Sequence, residues 1–238
     1  MTSPHGDKLA VLIDADNAQA SIVGELLAEV SRYGTASVKR AYGDWTTTNL
    51  KGWKDVLHKM AIQPMQQFSY TTGKNSTDSS LIIDAMDLLH GGSLDGFCLV
   101  SSDSDFTRLA TRIREAGLVV YGFGEKKTPQ PFVAACDKFI YTEILKPQQQ
   151  VSVPDDEAPE PVEPLLRIAI AATAKDNGWA PLSAVGSMIV KNSPSFDPRN
   201  YGCQKLGELV RKQKYLEVKE ISIGDGSANV HLYVRFKT

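Results

Sequence analysis

Four aspartates stand where a carboxylate needs a reason. Asp14 closes a continuous apolar run, LAVLID (Leu9–Asp14), and Asp103 follows a second one, GFCLVS (Gly96–Ser101). Asp105 lies two residues further on, at the start of a helical stretch, and Asp78 sits near the head of another, after a polar loop at 69–76. A carboxylate placed directly after an apolar run is costly unless it finds a partner. Four brought close together resist ionising at once, and a divalent cation removes that conflict. No His or Cys belongs to the set, so the expected ion is hard and oxygen-seeking, Mg2+ or Mn2+ rather than Zn2+. Such an ion polarises a phosphate and turns bound water into a nucleophile, so metal-assisted phosphodiester hydrolysis is the chemistry these residues suit.

Each residue also has an ordinary explanation. Asp78 follows Ser76-Thr77 and favours a helix N-terminus electrostatically, and Asp103 or Asp105 serves equally well as a helix cap. Asp14 is the hardest to explain in that way. Asp16 and Asp84 read as ordinary acids; Asp84 is six residues from Asp78, about 240° around a helix, so the two cannot face one ion. Asn17 orients ligands or caps the helix it begins, and Lys74 meets a phosphate or is simply solvated. Other chemistries are excluded by the same rows. Gly73-Lys74 is followed by Asn75, with Phe68 where a P-loop needs Gly, and Gly122 and Gly124 are followed by Lys127 rather than the third glycine of a dinucleotide fingerprint. The four histidines match no zinc spacing, and no G-x-S-x-G marks a nucleophile elbow.

The elements that must position these acids follow from periodicity. LAVLID is continuous rather than alternating, as in strands buried on both faces of a parallel sheet. Ile22, Leu26, Leu27 and Val30 then form a helical stripe. A strand over 36–42, a helix over 50–60 and a short strand over 61–65 come next. A helix over 77–90 carries Leu81, Ile82, Ala85, Leu88 and Leu89, a strand covers 96–101, a helix over 105–116 ends at Gly117, and a strand covers 118–122. Strands separated by helices of roughly 10–15 residues predict an α/β fold, a three-layer parallel sheet with helices on both faces. All strand C-termini then share one edge, where Asp14 and Asp103 converge and Asp78 can join them.

The chain has 238 residues, 42% of them apolar and 23% charged, enough for one large domain or two modest ones. The net charge of −2 conceals an asymmetry. Residues 1–150 carry 15 basic and 17 acidic side chains, residues 151–164 five acids and no base, and residues 165–238 eleven bases against six acids. Pro147 to Pro164 (PQQQVSVPDDEAPEPVEP) holds five prolines and five acids, which predicts a semi-stiff linker. The expected organisation is therefore a catalytic domain over 1–146, a linker over 147–164 and a small domain over 165–238. The last reads as helices over 164–177, 182–190 and 204–214, then two alternating runs over 215–223 and 229–236 joined around Gly224-Asp225-Gly226. Three helices and a terminal hairpin make a winged-helix pattern. Its basic excess invites a polyanion. Lys205 and Lys212 fall on nearly one helix face with Arg211 and Lys214 adjacent, and Tyr201 precedes them, a combination that suits single-stranded or structured RNA. A protein partner is the ordinary alternative for such a module. No apolar run reaches the ~18 residues needed to span a bilayer, and the N-terminus lacks the features of a signal peptide. Three scattered cysteines argue against a disulfide scaffold, so a cytoplasmic location is expected.

Three segments, VLIDADN, KNSTDSSLIIDAMDLL (Lys74–Leu89) and LVSSDSDFTRLA (Leu99–Ala110), closely resemble the NYN domain of LabA-like proteins, a branch of the PIN-like nuclease superfamily. The likeness covers roughly residues 8–145. It implies a metal-dependent ribonuclease fold whose acidic ligands are Asp14, Asp78, Asp103 and Asp105, with Asn17 matching the family's asparagine and Asp84 a recurrent family acid. Ser102 stands where many relatives have Gly. The segment Gly178–Val218 resembles the LOTUS (OST-HTH) domain, a winged-helix module associated with RNA binding, with Cys203 at a position where an aromatic or small residue is common.

The expectation is a Mg2+- or Mn2+-dependent ribonuclease with a tethered RNA-binding module. One alternative is a non-catalytic RNA-binding adaptor whose acid cluster holds a structural metal. Another is a phosphatase of the haloacid dehalogenase type, since Asp14-Ala15-Asp16 is similar to its D-x-D nucleophile motif. That scheme leaves Asp78 idle and expects Thr or Val where Ala18 stands.

Overall fold

The computed structural model describes residues 6–68, 76–146, 161–222 and 230–237 and divides into two units, Met1–Pro147 and Gln148–Thr238. In the first unit, β1 (Lys8–Asp14), β2 (Thr35–Gly43), β3 (Gln63–Gln66), β4 (Gly96–Val100), β5 (Val119–Gly124) and β6 (Lys138–Tyr141) form one sheet in the order β3-β2-β1-β4-β5-β6. Every neighbouring pair is parallel. The helices are α1 (Val23–Val30), α2 (Trp53–Lys59), α3 (Ser76–His90), α4 (Thr107–Glu115) and α5 (Gln130–Ala135).

Alternation along β1 divides the core in two. Leu9, Val11 and Ile13 pack with Val23 and Leu26 of α1 and Trp53 of α2, whereas Ala10 and Leu12 pack with Leu81 of α3, Leu109 of α4 and Phe132 of α5. Burial on both faces is why β1 and β4 read as unbroken apolar runs. Asp14 has the parity of Ala10 and Leu12, and Ser101, just past β4, that of Phe97 and Leu99. Both side chains therefore face the layer to which α3 and α4 belong. The chain passes from β1 outward to β2 and β3, then returns to β4 and proceeds the other way. The β1/β4 boundary is thus the switch point of the sheet, where a crevice opens at the strand C-termini. At that end Gly124 lies so close to β4 that a Cβ would come within 2.6 Å of the Ser101 carbonyl oxygen.

Several boundaries differ from expectation. The helix expected over 105–116 divides into a 3-10 turn at Ser104–Phe106 and α4, which closes on Gly117 at φ +85°. The sequence pattern did not predict α5 and β6. With six and four residues they are too short to display a period, and α5 starts beside prolines.

The second unit contains α6 (Val162–Thr173), β7 (Ala180–Pro181), α7 (Leu182–Asn192), α8 (Leu206–Lys212), β8 (Leu216–Ser222) and β9 (Val230–Phe236), with the sheet order β7-β9-β8. Leu166, Ile170, Val185, Ile189, Leu209, Val210 and Val234 form its core. This is a small winged-helix arrangement. α6 begins at Val162, so the last residues of the expected linker are helical. Pro164 occupies the first turn, where a missing N–H leaves no bond unmade, and Glu163 accepts from Arg167 at 2.7 Å. α6 also ends at Thr173 rather than Asn177: Ala174 leaves the helix with extended backbone (ψ 139°), and the chain then turns at Gly178, φ +77°, where the Asn177 side chain accepts from the Trp179 amide. β7 was not expected; two residues carry no alternation. The linker over 147–160, the hairpin connection over 223–229 and the polar loop over 69–75 lie outside the described residues. Among the described residues no helix is long and apolar enough to cross a membrane.

Candidate active site

Asp14 is fully buried at the end of β1. Its Oδ2 accepts from the Asn17 side-chain amide at 2.6 Å and from the Ser101 hydroxyl at 2.8 Å, and its Oδ1 from the Asp16 amide at 3.2 Å. Burial pushes the Asp14 pKa up; the bonds from Asn17 and Ser101 oppose that shift and the Asp16 charge adds to it. The same Ser101 hydroxyl accepts from the Asp103 amide at 3.1 Å, so one side chain joins the ends of β1 and β4. Ser101 was not singled out in the sequence. The signal available was its parity with Phe97 and Leu99.

Asp103 accepts from the Asp105 amide at 2.9 Å and caps the 3-10 turn that leads into α4. That turn carries Asp105 round to the same side, and the N-terminus of α3 brings Asp78 to meet it. One carboxylate oxygen from each of Asp78, Asp103 and Asp105 lies within 4.8 Å of the other two. Asp78 is half-buried, and its pKa is pushed up to about 6, first by burial, then by the charges of Asp14, Asp103, Asp105 and Asp16. An oxygen-only set with an unrelieved charge conflict fits a hard divalent cation. Asp14, expected as a fellow ligand, is not in this trio. Its oxygens are engaged by Asn17, Ser101 and the Asp16 amide, and it acts on Asp78 through its charge.

Two acids read as ordinary have positional roles. Asp16 accepts from the Thr77 hydroxyl at 3.0 Å, tying the loop after β1 to the first turn of α3 beside Asp78. Asp84 lies further along α3 and accepts from the Arg40 guanidinium and the Tyr42 hydroxyl, both on β2. It anchors α3 to the sheet and faces away from the trio, as the six-residue offset requires. Burial and Asp84 together drive the Tyr42 hydroxyl pKa far up. Lys74 lies outside the described residues.

In the second unit the five residues expected at an RNA surface are spread along one stretch and have varied surroundings. Tyr201 closes a 3-10 turn with its ring 5.8 Å from that of Phe196, against the core. Lys205 is the N-cap residue of α8. Arg211 donates to Glu220 at 2.5 Å, and Lys212 to the Gly202 carbonyl at 3.3 Å. Lys214 is exposed, and its carbonyl accepts from Lys237.

Comparison with known proteins accords with this arrangement. The model of the NYN domain matches residues 8–145 and that of the OST-HTH/LOTUS domain residues 158–228. Among solved structures, the chain is similar to a protein of unknown function from Vibrio parahaemolyticus, at 21% identity and a TM-score of 0.49, over 58% of this chain and 94% of that one. A solution structure of residues 175–257 of a Chromobacterium violaceum protein is 41% identical, with a TM-score of 0.27, over 34% of this chain and 84% of that one. An uncharacterized Nitrosomonas europaea protein is 31% identical, with a TM-score of 0.29, over 39% and 93% respectively. Among curated proteins none matches.

Proposed function

We propose that this chain, which belongs to the NYN domain family and carries an OST-HTH/LOTUS domain over residues 158–228, is a divalent-metal-dependent ribonuclease that hydrolyses RNA phosphodiesters. NYN domains are part of the PIN-like nuclease superfamily, and their pairing with a LOTUS module supports a nuclease-like, RNA-associated function. The single observation behind the finer reading is the meeting of Asp78, Asp103 and Asp105 at the switch point of the sheet.

Those three residues would hold Mg2+ or Mn2+, which when bound supplies a Lewis acid for a phosphodiester oxygen and a water of lowered pKa. The chain's own residues set the stage. Asn17 and Ser101 hold Asp14 beneath the trio, and the Asp103 cap fixes the turn that presents Asp105. Asp16 and Thr77 hold the first turn of α3, so that Asp78 needs little rearrangement to bind. Lys74, two residues before α3 in the sequence, is proposed to meet the phosphate. Tyr201, Lys205, Arg211, Lys212 and Lys214 are proposed to contribute RNA contacts from the second unit, whose positive charge offsets the repulsion of RNA by the acidic edge.

The test is cleavage of end-labelled single-stranded RNA by the full chain with Mn2+, Mg2+ or EDTA, beside Asp78→Asn and Asp103→Asn prepared identically. Metal-dependent cleavage lost in both variants is the expected result. Cleavage that persists in the variants would overturn the site. RNA bound but uncut by the wild type would favour an adaptor, a reading helped by the structural duties of Asp14 and Asp103.

A further inference from the structure

The outward face of the β7-β9-β8 sheet carries side chains that the core does not use. Strand register places Tyr233 between Pro181 and Lys219, Arg235 opposite Glu217, and His231 opposite Ile221. Leu216, Val218, Leu232 and Val234 alternate with them and pack into the core, so the first set shares the opposite face. Lys219, Ile221 and His231 are exposed, and Tyr233 and Arg235 are half-exposed. Trp179, one residue before β7, lies against Arg235, whose guanidinium carbon is 4.6 Å from the centre of a Trp179 ring; Lys219 Nζ is 6.0 Å from it. Glu217 accepts from Arg235 Nε at 2.7 Å, so indole and carboxylate together hold the guanidinium in place.

We propose that this sheet face binds single-stranded RNA, with bases stacked on Tyr233 and on the Arg235–Trp179 pair and backbone phosphate held by Lys219. The inference rests on the RNA reading above and gives it a second surface, distinct from α8. The chemistry is that of a stacking platform: aromatic rings and a guanidinium plane beside cations. Among the described residues Lys219 has no carboxylate partner, and Glu217, the one acid they place on this face, is taken up by Arg235. On the α8 side, by contrast, Tyr201 packs on Phe196 and Arg211 pairs with Glu220.

Spacing selects the form of the ligand. Same-face residues two apart on a strand, such as Tyr233 and Arg235, repeat at roughly 6.6–6.8 Å. That is about twice the 3.4 Å rise of one strand in a stacked duplex. Neighbouring bases must unstack to occupy neighbouring platforms, which a stretched single strand does readily and a duplex does not.

Fluorescence anisotropy of a short labelled single-stranded RNA, titrated with the full chain in EDTA at low salt, tests this. Tyr233→Ala is expected to weaken binding about tenfold while Tyr233→Phe stays within about twofold, because stacking needs the ring and not the hydroxyl. Lys219→Glu, at an exposed and unpaired position that tolerates substitution, is expected to weaken binding and to flatten its salt dependence. The same sequence as a duplex should bind less tightly. Wild-type RNA binding with both Tyr233→Ala and Lys219→Glu within about twofold of it would overturn the surface and leave the RNA reading standing. No RNA binding by the wild type would overturn both, and a protein partner would then be the better occupant.

Discussion

Asp78 illustrates how a residue's surroundings become a function. Its carboxyl, at about 6 instead of 3.8, binds a proton more tightly in the folded chain than in the unfolded one. The stabilisation this represents is complete below about pH 4 and is lost as pH rises through about 6. Ionised Asp78 therefore weakens the metal-free fold at neutral pH, by a modest amount because the group is half-exposed and solvent screens it. Without divalent ions, Asp78→Asn should melt higher than wild type at pH 8, by about 3 °C, and the difference should vanish near pH 4. Mg2+ or Mn2+ should raise the melting temperature of the wild type but hardly that of the variant. Equal melting of the two at pH 8 and no effect of either ion would show that the acids do not burden one another.

At the scale of elements, α3 is held at its start and at its middle by side chains that its apolar stripe does not include. Thr77 with Asp16 secures its start, and Asp84 with Arg40 and Tyr42 its middle. Asp84→Ala would leave a half-buried guanidinium and a buried hydroxyl without their acceptor. We expect it to cost about 2–3 kcal/mol in urea unfolding, less than breaking a fully buried pair; a cost near zero would show the anchor to be idle. The buried cysteines yield a second prediction. Cys98, Cys136 and Cys203 are all covered, and burial pushes the Cys136 thiol up to about 12. All three should resist a thiol reagent at pH 8 and react only as the chain unfolds. Prompt labelling of the native protein would contradict their packing.

For the whole molecule, the two units have separate cores and differ in charge. Residues 165–238 carry the basic excess and residues 151–164 five acids. A linker of this composition is proposed to keep the two units at high mutual concentration; the 15 residues ahead of α6, 147–161, can reach at most ~47 Å at ~3.1 Å per residue. Deleting residues 165–238 should weaken RNA affinity at least about tenfold and reduce the salt slope by about 0.7 for every phosphate that the second unit neutralises. Unchanged affinity and slope would remove the capture role from the second unit.

The sequence by itself determined the α/β fold, the order of the elements that bear the acids, the two-domain pattern and the positions of Asp14, Asp78, Asp103 and Asp105. These depend on local period and on strand ends sharing one edge, which any parallel sheet enforces. It also separated Asp84 from Asp78, since helix geometry alone does that. What only the tertiary structure decided is which partners each acid meets. Ser101 reaches Asp14 across 87 residues of chain and Thr77 reaches Asp16 across 61, pairings that no local pattern encodes. The same holds for α5, β6 and β7, whose few residues form elements because neighbours are already in place to pair with them. The division of the four acids into a buried Asp14 and a converging trio belongs there too. Burial depth and carboxylate spacing are set by packing between strands and helices, not by the residues beside them in the chain.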